Sequence, residues 1–213
     1  MNSTTLKAKL KATKVISESN AIRIHRSISW LKCAETQEKD PDICFVSLWI
    51  SFNACYASDP GKAISINEWE KFKSFIIKLV NHDNENRIYN LLWEKFSGPV
   101  RLLIENQFLY NPFWEFQRKE NSDWERTFRK SISDAQTLLG KKDVAPLLLI
   151  VLDRLYTLRN QVIHGGATYK SKLNRKQVKD GVRMLNSLLP VILDILILNP
   201  EDDWGNIYYP AIQ

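Results

Sequence analysis

Residues 40–57, DPDICFVSLWISFNACYA, decide the fold of this chain. Asp40 can cap a helix, Pro41 suits the first helical position, and Asp42 falls in the first turn, where a negative charge is favourable. The rest of the stretch is apolar almost all round, so the pattern predicts a helix that others cover on most sides. Such a helix is typical of the centre of an all-α bundle.

The remainder of the chain also favours helices. Only 7 Gly and 8 Pro occur in 213 residues, which indicates long regular elements rather than a turn-rich β fold. Hydrophobic periodicity predicts about seven or eight helices in all. Two capping boxes, Ser65 with Glu68 and Ser122 with Glu125, mark helix starts. Besides residues 43–57, the predicted helices cover residues 21–38, 65–80, 85–96, 100–110, 122–139, 144–164 and 174–198.

The charge balance suits a polyanionic partner without establishing one. The net charge is +6, but 24 acidic residues are interspersed among 30 basic ones. Part of the excess is local, because four lysines stand near the start of the chain without an acid among them. We expect a frayed and solvated N-terminus there, with non-specific contact to an anion as the alternative. These lysines are Lys7, Lys9, Lys11 and Lys14.

Cysteine usage and hydropathy indicate a cytoplasmic protein with no membrane partner. Cys33, Cys44 and Cys55 form no CxxC or Cys/His cluster, so we expect reduced thiols, no metal and no cofactor. The N-terminus lacks the apolar segment of a signal peptide. The longest apolar runs, residues 144–152 and 188–198, are too short to span a bilayer.

The stretch 158–166, LRNQVIHGG, places three polar groups at the end of an apolar helix. Arg159 and His164 are five positions apart, about 140° around an ideal helix, whereas Asn160 and His164 share a face. The Asn160 amide could therefore orient the imidazole. Arg159 would join them only through distortion of the last turn or through a second chain. A His followed by two glycines is also simply a good helix cap, which is the alternative interpretation.

Basic and aromatic residues around this stretch suit contacts to an RNA backbone and stacking on its bases. The alternatives are a solvated helix start for most of them and an ion pair near Asp153 for Arg154. Asn53 could support the motif, although a satisfied core amide is the simpler interpretation. The predicted RNA contacts are Arg154, Tyr169, Lys170, Lys172, Arg175 and Lys176.

The spacing Arg159-Asn160-x-x-x-His164 resembles the R-x4-6-H motif of the HEPN superfamily, in which a polar residue, often Asn, commonly follows the Arg. Residues 40–56 resemble the second helix of that family, after an amphipathic first helix that ends in WLKCAE. The resemblance covers roughly residues 22–58 and 144–198.

The resemblance implies a helical bundle that dimerises with two motifs facing each other, and a metal-independent endoribonuclease. His164 would be the acid–base group, Arg159 would position phosphate and stabilise the transition state, and Asn160 would orient and polarise. The ribose 2′-OH would attack the adjacent phosphate, which restricts the substrate to RNA. Members serve in toxin–antitoxin, defence and RNA-processing systems. Others are non-catalytic modules that bind RNA, nucleotides or proteins, and a purely structural bundle is the least favoured alternative.

The predicted organisation is one HEPN-like domain over residues 1–213. Residues 20–58 and 143–198 would form its core, residues 60–140 a helical insertion, and residues 199–213 a tail. The tail contains Trp204, Tyr208 and Tyr209, which we expect to dock on the body or on a partner chain.

Overall fold

The structure is a computed structural model, which describes residues 1–57, 68–118, 123–172, 174–207 and 209. Over these ranges the chain forms helices and no strand, so the all-α prediction is confirmed. A π-helical turn at Leu91–Lys95 and a 3-10 turn at Gln107–Leu109 interrupt the α-helices. The α-helices of the described residues are α1 (Ser3–Ala12), α2 (Glu18–Thr36), α3 (Pro41–Tyr56), α4 (Glu68–Asn81), α5 (Arg87–Asn90), α6 (Ser97–Ile104), α7 (Asn111–Gln117), α8 (Trp124–Lys141), α9 (Val144–Ile163) and α10 (Arg175–Leu198).

The chain divides into two compact units. The first unit comprises residues 1–85 and 182–213, and the second comprises residues 86–181. The predicted core boundaries at residues 60 and 143 do not coincide with this division. The prediction of a single domain with a helical insertion stays a prediction.

Helix α3 lies at the centre of the first unit, as its sequence predicts. The Asp40 carboxylate accepts hydrogen bonds from the Asp42 and Ile43 amides, which confirms the predicted cap. Phe45 and Phe52 on α3 are fully buried, and α2 packs along the same helix. Full burial of each such side chain contributes about 1.5–3 kcal/mol, so α3 supplies much of this core.

The N-terminus is a packed helix, so the prediction of a frayed segment is wrong. The Asn2 side chain accepts from the Thr5 amide to cap α1, and Leu6 is fully buried. Lys9 Nζ lies 2.6 Å from a carboxylate oxygen of Asp194, which is buried in α10. Because a buried carboxylate needs a cation, Lys9 has a structural role in this unit.

The tail docks on the first unit through Trp204, which is 6% exposed. Its indole nitrogen donates to the Asn199 carbonyl at 3.0 Å, and its ring meets that of Phe75 at 5.8 Å between centroids. The docking prediction is therefore confirmed for Trp204, whereas Tyr209 is exposed and its docking on the body or on a partner chain stays a prediction. Tyr208 lies outside the described residues.

Two predicted helix ends in the second unit are helix starts. Gly98-Pro99 falls in the first turn of α6, and Asn111-Pro112 opens α7. Proline is tolerated there because the first amides of a helix have no intrahelical acceptor, so the missing N–H costs nothing. Ser65 and Ser122, the capping residues predicted for α4 and α8, lie outside the described residues.

Helix α10 is long and apolar enough, by length and composition alone, to cross a membrane. Its best window has a mean hydropathy of 1.8 and is 67% buried within the fold, which is typical of a core helix. The sequence predicts this helix at residues 174–198, but it is only the uninterrupted apolar run within it, residues 188–198, that is too short to span a bilayer.

Candidate functional site

Helix α9 ends in a glycine-dependent cap that leaves the imidazole of His164 outside the helix. The Gly166 amide donates to the Gln161 carbonyl at 2.8 Å, and the Gly165 amide donates to the Val162 carbonyl at 3.4 Å. Gly165 has φ +70°, the left-handed conformation that this Schellman motif requires. His164 takes part in the cap through its backbone. The interpretation of this segment as a helix cap is therefore confirmed. The cap uses only backbone groups, so the His164 side chain is exposed and takes no part in it.

The side chain of His164 lines a groove of about 260 Å³ in the second unit. Asn160 lines the same groove, so the predicted shared face of these two residues is confirmed. Thr157 and Gln161 lie on the same wall of α9, while the other wall comes from α7 and the residue after it. That second wall contributes Asn111, Trp114 and Arg118.

Arg118 is the functional candidate that sequence reasoning missed. It directly follows α7, in a segment for which the sequence pattern suggests no role, and 46 positions separate it from His164. It brings a guanidinium to the groove that holds the imidazole, a combination that suits a phosphate. The only local signal is the aromatic helix before it, FWEF at residues 113–116, which indicates a packed element rather than a loop.

A shared acceptor holds the two walls of the groove together. The Phe108 carbonyl accepts from the indole nitrogen of Trp114 at 2.8 Å and from the side-chain amide of Gln161 at 2.5 Å. A carbonyl oxygen has two lone pairs, so it can accept both bonds at once. The ring of Phe113 packs edge-on against Trp124 at 5.1 Å, which fixes α7 on α8. Long-range contacts of this kind place Arg118 opposite α9.

Arg159 does not line the groove, as the helix geometry predicts. Its Nη1 donates to the side-chain oxygen of Asn160 at 2.9 Å, and its guanidinium lies 5.8 Å from the centre of the Tyr156 ring. Its Nε is buried and makes no hydrogen bond within the described part of the chain. The expected bond from Asn160 to the imidazole is thus replaced by one from Arg159 to Asn160. In a single chain, Arg159 therefore contacts the groove residue Asn160 without lining the groove itself.

Arg154 is a core residue of the second unit, so its predicted contact with RNA is wrong. Its side chain is 1% exposed and donates to Asp153 at 3.0 Å and to the Ser131 hydroxyl at 2.8 Å. Its guanidinium also lies 4.6 Å from the centre of the Tyr110 ring. Burial lowers the pKa of Arg154, and the nearby Asp153 opposes that shift. The ion pair with Asp153 is the alternative that the structure confirms.

The other predicted RNA contacts lie on the surface after α9. Tyr169 is 61% exposed, and the Lys170 ammonium lies 5.0 Å from the centre of its ring. Arg175 Nε donates to the Ser171 carbonyl at 3.2 Å, which steadies the start of α10. Lys172 and Lys176 are exposed. Their role in binding RNA stays a prediction.

Asn53 is a satisfied amide in the first unit. Its side-chain oxygen accepts from the Tyr56 hydroxyl at 2.9 Å, one turn along the same helix. Asn53 is half-buried, and the hydrogen bond with Tyr56 agrees with the interpretation as a satisfied amide; its support of the motif stays a prediction.

No group of three His, Cys, Asp or Glu side chains that could hold a metal ion occurs among the residues that the structure describes. Comparison with known protein families, with curated proteins and with solved structures finds no match to this chain.

Proposed function

We propose that this protein is a metal-independent endoribonuclease of HEPN type that cleaves RNA at the groove between α7 and α9. The observation that carries the proposal is the presence of His164, Asn160 and Arg118 along one groove. An imidazole is the side chain best suited to proton transfer near neutral pH, and a guanidinium can bind a phosphate through two parallel hydrogen bonds. The resemblance of the Arg159–His164 stretch to the HEPN motif supports the same chemistry.

The proposed reaction is an internal transfer at phosphorus. His164 takes the proton of the ribose 2′-OH as the 2′ oxygen attacks the adjacent phosphorus. The bond from phosphorus to the 5′ oxygen breaks, and an imidazolium protonates that leaving oxygen. The products are a 2′,3′-cyclic phosphate and a free 5′-OH. Arg118 binds the non-bridging oxygens and stabilises the charge that develops on them.

A two-fold dimer would complete this site. One imidazole can move the proton from the 2′ oxygen to the 5′ oxygen, but two would serve separately as base and acid. Packing α9 against its copy would bring a second His164 and Arg159 to the cleft, as the HEPN resemblance implies. Arg159 would then contact the phosphate directly, whereas in one chain it contacts the groove residue Asn160. A cytoplasmic toxin with an antitoxin partner, or a defence effector, is the proposed setting.

The test is cleavage of a structured RNA by the purified protein in EDTA, with the cyclic phosphate end detected by mass spectrometry. General acid–base catalysis contributes typically 10²–10⁴-fold, so His164→Ala should lose about that much activity. Arg118→Ala should lose about 10²-fold or more, as removal of a transition-state donor does. Arg101→Ala removes an exposed arginine of α6 in the same unit and is the matched control.

The outcomes separate the alternatives. Cleavage that survives unchanged in both His164→Ala and Arg118→Ala would overturn the proposal. A wild-type protein that binds RNA and leaves it intact would favour the non-catalytic HEPN-like module instead. If Arg159→Ala lowers activity as much as His164→Ala does, and the protein is dimeric by light scattering, the shared site is supported. A fully active monomer would argue against that dimer site.

A further inference from the structure

A groove of about 560 Å³ lies between α1 and α2 in the first unit. The Ser3 amide donates to a carboxylate oxygen of Glu35 at 2.8 Å, so the start of α1 lies beside the end of α2 and the two helices run antiparallel. The facing stripes have helical spacing, at positions 4, 7, 8 and 11 on α1 and at positions 25, 28, 29 and 32 on α2. The groove is therefore built by regular secondary structure.

Most side chains along this groove are basic or polar. Lys7 and Lys11 come from α1, and His25 and Lys32 come from α2. None of the three lysines forms an ion pair with a residue that the structure describes. The nearby acid, Glu35, is already bound by the backbone and hydroxyl of Ser3 at one end of the groove. The groove is thus a concentration of positive charge without a counter-ion from the described chain.

The lysines of α1 do not all face the groove, as Lys9 shows. It stands between Lys7 and Lys11 in sequence, but its ammonium neutralises the buried Asp194 on the other side of α1. Of the four lysines near the N-terminus, Lys9 thus pairs with a buried carboxylate, whereas Lys7 and Lys11 line the groove. If the N-terminal segment contacts an anion, Lys7 and Lys11 are therefore the residues that we expect to make the contact.

We propose that the groove binds the phosphodiester backbone of single-stranded RNA, a second RNA contact that extends the proposed function and rests on it for the choice of RNA. Lys7 and Lys11 are four residues apart, about 6 Å along the helix axis, which suits successive phosphates better than one isolated anion. Thr4 and Ser29 add hydroxyl groups along the same groove. The apolar residues that line it are the small Ala8 and the buried Ile28, so it offers no large exposed apolar side chain to a lipid surface.

The test measures binding of the full chain to a fluorescent single-stranded 2′-O-methyl oligonucleotide by anisotropy. This probe lacks the attacking hydroxyl, so its binding is independent of catalysis. The variant Lys7→Gln/Lys11→Gln/Lys32→Gln should bind at least tenfold more weakly at about 100 mM salt. Each phosphate contact contributes about 0.7 to the slope of log K against log salt for single strands, so the slope should become shallower by about 2.

The matched control is Lys39→Gln/Lys73→Gln/Lys141→Gln, which removes the same charge from exposed positions outside the groove. It should keep most of the affinity. Equal weakening by the two triple variants, or an unchanged slope in the groove variant, would overturn the proposal. So would binding to anionic phospholipid vesicles that depends on the groove lysines while oligonucleotide binding does not. If the protein cleaves no RNA but its oligonucleotide binding still depends on the groove lysines, this inference is supported and only the proposed endoribonuclease activity is contradicted.

Discussion

Each of the two units buries one arginine, and the two side chains are stabilised by different chemistry. Arg23 in the first unit donates to backbone carbonyls, those of Cys55 at 2.7 Å and Gly205 at 2.5 Å. Arg154 in the second unit donates to a carboxylate and a hydroxyl and lies over an aromatic ring. Burial lowers the pKa of both groups. A buried guanidinium therefore needs acceptors around its fork, but these acceptors need not be anions.

The acceptors of Arg23 and Arg154 also differ in whether water can replace the arginine. The Cys55 carbonyl belongs to the last turn of α3, where carbonyls lack intrahelical partners, and it lies in the core beside Arg23. The Asp153 side chain is 40% exposed and can be rehydrated. Loss of the first arginine therefore leaves an acceptor without a substitute, whereas loss of the second leaves a carboxylate near water.

The largest expected effect is that of Arg23→Met on the first unit. Breaking a buried charged contact of this kind costs about 3–5 kcal/mol, much of it from the partner groups left unpaired. Hydrogen exchange should increase in α2, the end of α3 and the tail, with α8 and α9 less affected. Arg23→Lys, whose single ammonium lacks the planar fork, should lie between wild type and Arg23→Met. Unchanged protection of the tail in both variants would contradict the proposed role of Arg23.

Arg154→Met should cost less, about 2–3 kcal/mol, and its cost should depend on pH. Burial raises the pKa of Asp153, and Arg154 opposes that shift. Without Arg154, the pKa of Asp153 in the folded protein rises further above its value in the unfolded chain. The folded protein then binds the proton more tightly, so folding stability is lost as the pH rises from the unfolded-state pKa towards the folded-state pKa. Urea denaturation should show a larger loss near pH 7 than near pH 3. Adding Asp153→Asn to the variant should remove this additional pH dependence.

A smaller effect concerns Cys55, whose carbonyl receives Arg23. Burial raises the pKa of its thiol from 9.0 to about 11, and its hydrogen bond with Ser27 and the nearby Arg23 oppose that shift. The unfolded thiol therefore ionises first, and stability falls between about pH 9 and pH 11. At about 1.36 kcal/mol per pKa unit, this loss is of order 3 kcal/mol in urea denaturation. Cys55→Ala should lose less stability over this range, and an equal loss in both proteins would contradict the prediction.

The smallest effect, about 1 kcal/mol, is expected for Gly165→Ala at the end of α9. Gly165 has φ +70°, and an added Cβ would meet nothing within 4 Å, so the cost is that of the left-handed backbone alone. Thermal unfolding should report it. At Gly166 an added Cβ would stand 3.0 Å from the Gln161 carbonyl oxygen, so Gly166→Ala must shift the cap. If both variants melt like wild type, the glycine cap contributes nothing to stability.

The ends of α3 and α9 show how much of this fold the sequence could predict. The end of α9 depends on adjacent glycines, and the start of α3 on Asp40 and Pro41, so both were predictable from local chemistry. The Cys55 carbonyl near the end of α3 is satisfied by Arg23, 32 positions earlier, which no local pattern reveals. Gly98-Pro99 was misassigned because proline is compatible with a helix start as well as a helix end.

Some features of the candidate site are likewise predictable from local sequence, whereas others depend on tertiary packing. The shared face of Asn160 and His164 follows from a four-residue spacing on one helix, so helix geometry predicts it. Arg118 reaches the groove through contacts of Phe108 with Trp114 and Gln161, which depend on tertiary packing. The burial of Arg154 is not predictable from its helix alone, because its partner Ser131 and the ring of Tyr110 come from other elements of the unit.

The docked tail has a consequence for mutational tolerance. Side chains of the first unit hold it by donating to its backbone carbonyls: Asn20 to Pro200 and Asp202, Arg23 to Gly205, Arg26 to Tyr209 and Lys78 to Asp203. A carbonyl oxygen is present whatever the side chain, so most tail positions can change while these bonds persist. Two further constraints come from side-chain contacts and backbone conformation: Asp202 pairs with Lys78 and His82, and Gly205 has φ +82°. A saturation mutagenesis scan should therefore find the tail permissive except at Trp204, Asp202 and Gly205, and restrictive at Asn20 and Arg23, far away in the sequence.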